Sequence, residues 1–263
     1  MTTNEHFSPS SGTELEAYVR AGDVMGAHHL ARYLWLVDAL ATLPNISSVL
    51  DAGCGAGYGS YLIASRFPKI HVTAVDFDAN AIHEAESAFS SPNLTFRVGD
   101  LMRWQEGIGD QLFDLVVSFD SIEHIPHREI TLQHIVDHLS HRGRLVLSTP
   151  CGAPENNLTP GWSAHKIEYG TAGLYDLLRR YFRIIRRPDN LTLPVPQVFV
   201  ALNASGIPYL NRLNPVICES PIRPWNPYRA HSNGIVESPA WSRILDWRNL
   251  FIEIIAKMRH RLN

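Results

Sequence analysis

Four residues of this chain have the types and spacing of proton-transfer chemistry. In "SFDSIEHIPH", Asp120, Glu123 and His124 stand at i, i+3 and i+4, so a helical turn carries all three on one face. His165 follows in "STPCGAPENNLTPGWSAHKIEYG", after the next apolar run. Carboxylates and imidazoles grouped in this way can take a proton from a weakly acidic nucleophile. A second constellation lies upstream: "VLDAGCGAGYGS" puts Gly53, Gly55, Gly57 and Gly59 at alternate positions behind an apolar run, with Asp51 just before them. Such glycines permit positive φ and let a ligand touch the backbone. Their spacing is G-x-G-x-G, whereas a dinucleotide fingerprint needs glycine at position 58 or 60, where Tyr58 and Ser60 stand. The Asp51 carboxylate repels a pyrophosphate and favours a ligand carrying an amino or sulfonium cation.

The elements that must position these residues are legible as a repeating strand-then-helix pattern from about residue 48 to 187. Strands are expected at 47–52, 71–75, 94–98, 113–118 and 143–149. Between them "YLIASRF", "NAIHEAESAF" and "EITLQHIVDHLS" have helical spacing and good helix formers, so each crosses over to a parallel neighbour. "YFRIIRR" and "VPQVFVALN" then read as an antiparallel pair, an ending unlike an ordinary dinucleotide fold. The expectation is an α/β doubly wound, mostly parallel seven-stranded sheet with an antiparallel final strand. An open sheet of this kind binds its ligand beyond the carboxyl ends of the strands, where Asp51, Asp76, Asp100 and Asp120 all fall. Any one of these acids alone reads equally well as a turn or strand-end residue. Four in register favour a ligand site.

"VLDAGCGAGYG" resembles motif I of the class I S-adenosylmethionine-dependent methyltransferases, and the resemblance continues over roughly residues 25 to 202. It implies that the glycine loop at Gly53 and Gly55 admits the methionine part of S-adenosyl-L-methionine, helped by Asp51. It implies that Asp76, in "VTAVDFD" with Phe77 beside it, holds the ribose hydroxyls. Asp100 and Leu101 of "VGDLM" come next to the adenine, and "FDLVVSFDSIEHI" is the fourth strand, with Phe119 at the cofactor and an acidic exit at Asp120.

An acid-x-x-Glu-His followed by "STP" and a later histidine resembles the divalent-metal site of the small-RNA 2'-O-methyltransferases, and less closely that of ubiquinone-pathway O-methyltransferases. This implies Mg²⁺ or Mn²⁺ on Asp120, Glu123, His124 and His165, polarising a hydroxyl of a vicinal diol. The chain departs from that pattern in having Asp120 where glutamate is common. The alternative is a metal-free site in which His124 or His165 is the general base. Either way Asp120, His124 and His165 are the expected catalytic residues. His28, His29, Arg32 and Tyr33 lie on "VMGAHHLARYLWLVDALATL", read as one amphipathic helix over the glycine loop, where they would touch cofactor or acceptor or merely pack. His127, His134, His138 and His141 are expected on the solvent side of the helix after the fourth strand.

Composition bounds the function classes. With 263 residues, 45% hydrophobic and 19% charged, the chain suits one large α/β domain with appendages. No stretch of 18 uncharged apolar residues suggests a membrane span, and "MTTNEHFSPSSGTELEAYVR" has no secretory character, so a cytoplasmic location is expected. Cys54, Cys151 and Cys218 are too far apart for a CxxC site and read as free thiols; Asn190-Leu191-Thr192 reads as a chance glycosylation triplet. A net charge of −3 argues against a nucleic-acid partner, and the cluster Arg179, Arg180, Arg183, Arg186 and Arg187 reads as cover for a helix end and edge strand. Three units are expected: an N-terminal helical cap over 1–46, a cofactor-binding core over 47–202, and a C-terminal lid and helix over 203–263. Six prolines between 203 and 240 suit a lid better than regular structure. The final helix is expected to pack on the domain or on a twin subunit as a homodimer. The acceptor is expected to be a small molecule with a hydroxyl, a saccharide or glycoside, because sugar O-methyltransferases share the "H-x-x-R-Y" helix seen at His29, Arg32 and Tyr33. The alternatives are an RNA 2'-hydroxyl, or an idle cofactor-sensing regulator with no catalysis.

Overall fold

The computed structural model describes residues 24–41, 43, 45–153, 155–160, 163–186 and 216–222, together with Glu14. Helix α1 (Val24–Leu40) leads into strand β1 (Ser48–Ala52), and the glycine loop turns the chain into α2 (Tyr58–Arg66). The alternation goes on through β2 (His71–Asp76), α3 (Ala79–Ala88), β3 (Leu94–Val98), β4 (Phe113–Phe119), α4 (Arg128–His138) and β5 (Leu139–Ser148). A small ladder of β6 (Cys151–Ala153) with β7 (Tyr169–Gly170) stands apart, before α5 (Thr171–Arg179), β8 (Phe182–Arg186) and β9 (Val216–Pro221).

The main sheet has the order β3-β2-β1-β4-β5-β9-β8. β1 to β5 pair in parallel, and β9 runs antiparallel to both β5 and β8. Central strands read as continuous apolar runs because helices cover both faces. In β1, Val49 joins the cluster under α1, α2 and α3, while Leu50 and Ala52 join the cluster under α4 and α5. Alternate side chains of one strand thus feed two cores. The strand order reverses between β1 and β4, which opens the crevice at their carboxyl ends.

Three expectations need correcting here. The antiparallel partner of β8 is Val216–Pro221, with Ile184 opposite Glu219 and Ile185 opposite Cys218. The expected partner, "VPQVFVALN" at 195–203, lies outside the described residues. Part of the segment read as a lid is therefore a strand of the sheet, made possible because Val216, Ile217 and Cys218 form an unbroken buried run between the prolines. The rest of 203–240, and the C-terminal helix, lie outside the described residues. His138 is also buried, at 8% exposure, not on the solvent side: Nε2 meets the Gly109 carbonyl at 2.8 Å and its ring lies 4.7 Å from that of Trp104. Among the described residues no helix is long and apolar enough to cross a membrane.

Helix α1 is seated on the glycine loop through Tyr33, whose ring packs edge-on to Tyr58 and Phe119 at 5.5 and 5.0 Å. That ring occupies the space where a Cβ on Gly59 would project. Gly59→Ala should therefore lower stability by about 1–3 kcal/mol through overpacking, more than the 0.5–1 kcal/mol that alanine returns inside a helix. Thermal unfolding checks it: a fall of several degrees is expected, and a melting temperature at or above that of the unsubstituted chain would show that α1 is not held this way.

Candidate cofactor and acceptor site

Gly53, Gly55 and Gly57 have φ of 89°, 51° and 77°, all left-handed. At Gly55 a Cβ would meet nothing within 4 Å, so its face is open and glycine is there for backbone conformation and for ligand approach. At Gly53 a Cβ would lie 2.7 Å from that of Ser121, which binds the loop to the chain leaving β4. The loop is also tied to β2: the Asp76 carboxylate accepts from Gly55 N–H at 2.8 Å and from Asp78 N–H at 3.0 Å. Next to it Phe77 is 79% exposed. Asp100 accepts from Met102 N–H at 2.8 Å in a local turn, and Leu101 is buried, its carbonyl receiving the Trp104 indole N–H at 2.7 Å. Phe119 is buried against Tyr33. Asp76 ends β2 with Phe77 after it, and Asp100 and Leu101 follow β3.

Asp51 is placed differently. It is wholly buried and accepts from Ser60 Oγ at 2.6 Å and from Tyr33 Oη at 3.1 and 3.2 Å. Its hydrogen bonds anchor α1 and α2. Burial raises its pKa from the ordinary carboxylate value to about 6; the Ser60 and Tyr33 bonds oppose that rise and the charge of Asp76 adds to it. The folded chain therefore holds a proton here that the unfolded chain has lost, so this group's contribution to stability falls as pH rises from about 4 to 6. Asp51→Asn removes the effect: between pH 4.5 and 7 the variant should gain about 2 kcal/mol relative to the unsubstituted chain. Denaturant titration at the two pH values checks it, and a constant difference would contradict the burial argument.

Beyond β4 the chain turns through Asp120, a non-glycine residue at φ 47°. Its carboxylate pairs with the buried Arg32 at 2.6 Å and with His29 Nδ1 at 3.3 Å, and accepts from Ser148 Oγ at 3.1 Å. Arg32, His29 and Tyr33 thus join α1 to the ends of β4 and β1; the side chain of His28 lies outside the described residues. A short helical turn, Ile122–His124, follows. Glu123, His124 and His165 converge there, with one donor atom from each within 4.8 Å of the others. Asp120 is not in that group, which corrects the expected four-residue ligand set: its short carboxylate is taken up by Arg32.

Glu123 is buried, with Oε2 accepting from Thr149 Oγ at 2.8 Å and Oε1 without a hydrogen bond. Burial first, and the nearby Asp120 charge second, push its carboxyl well above the usual range. The His124 and His165 rings lie edge to face at 4.9 Å. His124 Nδ1 lies 3.3 Å from the Ala164 carbonyl and His165 Nδ1 lies 3.1 Å from Glu168 Oε1. Both partners are acceptors, an arrangement that favours a proton on each Nδ1. Thr149 and Glu168 were not singled out from sequence, although Glu168 stands at i+3 from His165 and Thr149 lies within "STP".

The strand order with its antiparallel β9, and the open glycine loop tied to an acid ending β2, define a class I methyltransferase fold. The methyltransferase-domain family matches residues 49–143, and this part of the chain is a class I S-adenosylmethionine-dependent methyltransferase domain. The chain is 32% identical over 101 residues to malonyl-[acyl-carrier protein] O-methyltransferase of Bacillus cereus, covering 38% of this chain and 36% of that one. It is 33% identical over 116 residues to trans-aconitate 2-methyltransferase of Escherichia coli, covering 43% of this chain and 44% of that one. The chain thus spans less than half the length of these curated relatives. A chain from the complex between the Haloferax volcanii Trm112 methyltransferase activator and a methyltransferase shares the fold, with 15% identity, a TM-score of 0.54, and coverage of 80% of this chain and 98% of that one.

Proposed function

We propose that this chain transfers the methyl group of S-adenosylmethionine to a hydroxyl oxygen of a small polar acceptor, a saccharide or glycoside. The observation that carries the reading is the convergence of Glu123, His124 and His165 at the strand ends that carry the glycine loop, with Ser121 packed on Gly53 between them. Methyl transfer is an in-line displacement, so the protein chiefly aligns the reactants and takes the acceptor's proton. In this reading Asp76 receives the ribose hydroxyls, Phe77 and Leu101 flank the adenine with Asp100 beside it, and the open side of Gly55 admits the methionine. The acceptor oxygen forms a bond to the methyl carbon as the carbon–sulfur bond breaks, and its electron pair leaves on sulfur, giving neutral S-adenosylhomocysteine. The hydroxyl proton passes to Nε2 of His165, with His124 beside it.

A second reading is favoured by the orphaned Glu123 Oε1 beside the two imidazoles: one carboxylate and two imidazoles fit Mn²⁺ better than Mg²⁺, and Glu123, His124 and His165 are the residues that would hold it. A cation bound there supplies a Lewis acid for a diol hydroxyl.

The test is transfer of tritium from labelled S-adenosylmethionine to methyl glycosides, trans-aconitate and a short RNA. Labelled glycoside is expected. The names of the relatives point to carboxylate-bearing acceptors, which need no base; label on trans-aconitate alone, or on RNA alone, would overturn the hydroxyl reading for a sugar.

A further inference from the structure

Glu168 lies outside both the cofactor loop and the donor cluster, yet its geometry is that of a group that orients a base. Its carboxylate stands 3.1 Å from Nδ1 of His165, whose side chain is 8% exposed, while Glu168 itself is 27% exposed. The backbone on either side is fixed. Glu168 N–H donates to the Asn157 carbonyl at 2.9 Å, and the Glu168 carbonyl accepts from Asn157 N–H at 2.8 Å. The Lys166 N–H donates to the Glu123 carbonyl at 2.7 Å, which pins the His165 segment to the turn bearing His124. A carboxylate has no proton to offer, so it selects the imidazole form that has N–H at Nδ1.

We propose that Glu168 is a positioning residue for methyl transfer: it holds His165 in the Nδ1–H form and so presents the Nε2 lone pair to the acceptor hydroxyl. The inference rests on the base reading given above. During the step, the proton leaving the acceptor oxygen goes to Nε2, the carbon–oxygen bond forms and the carbon–sulfur bond breaks with its pair left on sulfur. Glu168 gains and loses nothing; it stabilises the imidazolium that results. Without it the imidazole is free to take the other tautomer, whose Nε2 already bears a proton and cannot accept one.

The experiment is ¹⁵N NMR of histidine-labelled protein saturated with S-adenosylhomocysteine, with the His165 signals identified by their loss in His165→Ala. The unsubstituted chain should show the proton on Nδ1, and Glu168→Ala should move population to Nε2–H. With a methyl glycoside acceptor, Glu168→Ala should lower kcat roughly 10- to 100-fold at a KM within about twofold, as loss of an orienting partner does at comparable sites. Glu168→Gln keeps an acceptor oxygen and should restore most of the rate. An Nε2–H signal in the unsubstituted chain, or tautomer and kcat both unchanged in Glu168→Ala, overturns the proposal, and the first needs no variant to fold. If instead no glycoside is methylated, the acceptor reading fails, and the tautomer still decides the role of Glu168.

Discussion

Asp76→Ala is expected to weaken binding of S-adenosylhomocysteine roughly 30- to 1,000-fold in titration calorimetry. Two ribose hydroxyls donating to one carboxylate are each worth about 1.5–3 kcal/mol as charge-assisted bonds, and the solvent that replaces them returns part, leaving about 2–4 kcal/mol. The substitution also removes the acceptor of Gly55 N–H, so the left-handed loop loses its tie to β2 as the ligand loses its anchor. Asp76→Asn keeps an acceptor oxygen for Gly55 and should lie between. Unchanged affinity in Asp76→Ala would remove the ribose assignment. Tighter binding of a nicotinamide dinucleotide would remove the cofactor assignment with it.

The other large effect is expected at His165. His165→Ala should lower kcat for a methyl glycoside about 10²- to 10⁴-fold, the range of a lost general base, while affinity for S-adenosylhomocysteine stays within about twofold because the glycine loop and Asp76 are untouched. Exhaustive chelation separates the two readings of the cluster. Full rate after chelation leaves the imidazole base; a rate lost and then recovered with Mn²⁺ makes Glu123, His124 and His165 cation ligands. A His165→Ala chain at full rate sinks both readings.

The fold was legible because β1, β2 and β4 are near-continuous buried apolar runs and the strands are separated by helices of ordinary length; the expected strands at 94–98 and 71–75 match the observed bounds to within a residue. β9 was not, since Val216–Pro221 finds its partner β8 across residues 187–215, and no local pattern states which of two apolar runs will pair. In the site, Asp76 and the glycines could be read because they act through backbone geometry at strand ends. Asp51 and Asp120 were read as ligand contacts, yet their charges are met from α1 by Tyr33 and Arg32, residues 18 and 88 positions earlier in the chain. Periodicity places α1 on an apolar face but cannot say which acid a buried guanidinium will find. His138 illustrates the same limit: its helix has a polar stripe, and burial came from Trp104 and the Gly109 carbonyl across the turn.

The position of β9 has a consequence for synthesis and for shortened forms of the chain. β5 and β8 are not neighbours; β9 lies between them, and Ile222 N–H closes onto the Tyr181 carbonyl at 2.8 Å just past it. On the ribosome the sheet stays incomplete until residue 222 has left the exit tunnel, and at 5–20 residues per second the 36 residues after Arg186 take roughly 2–7 s. During that interval the β5 ladder ends in open N–H and C=O groups, available to another chain. A fragment cut at residue 202 would keep every glycine and acid of the cofactor loop and would carry that open edge permanently, as an aggregation-prone domain.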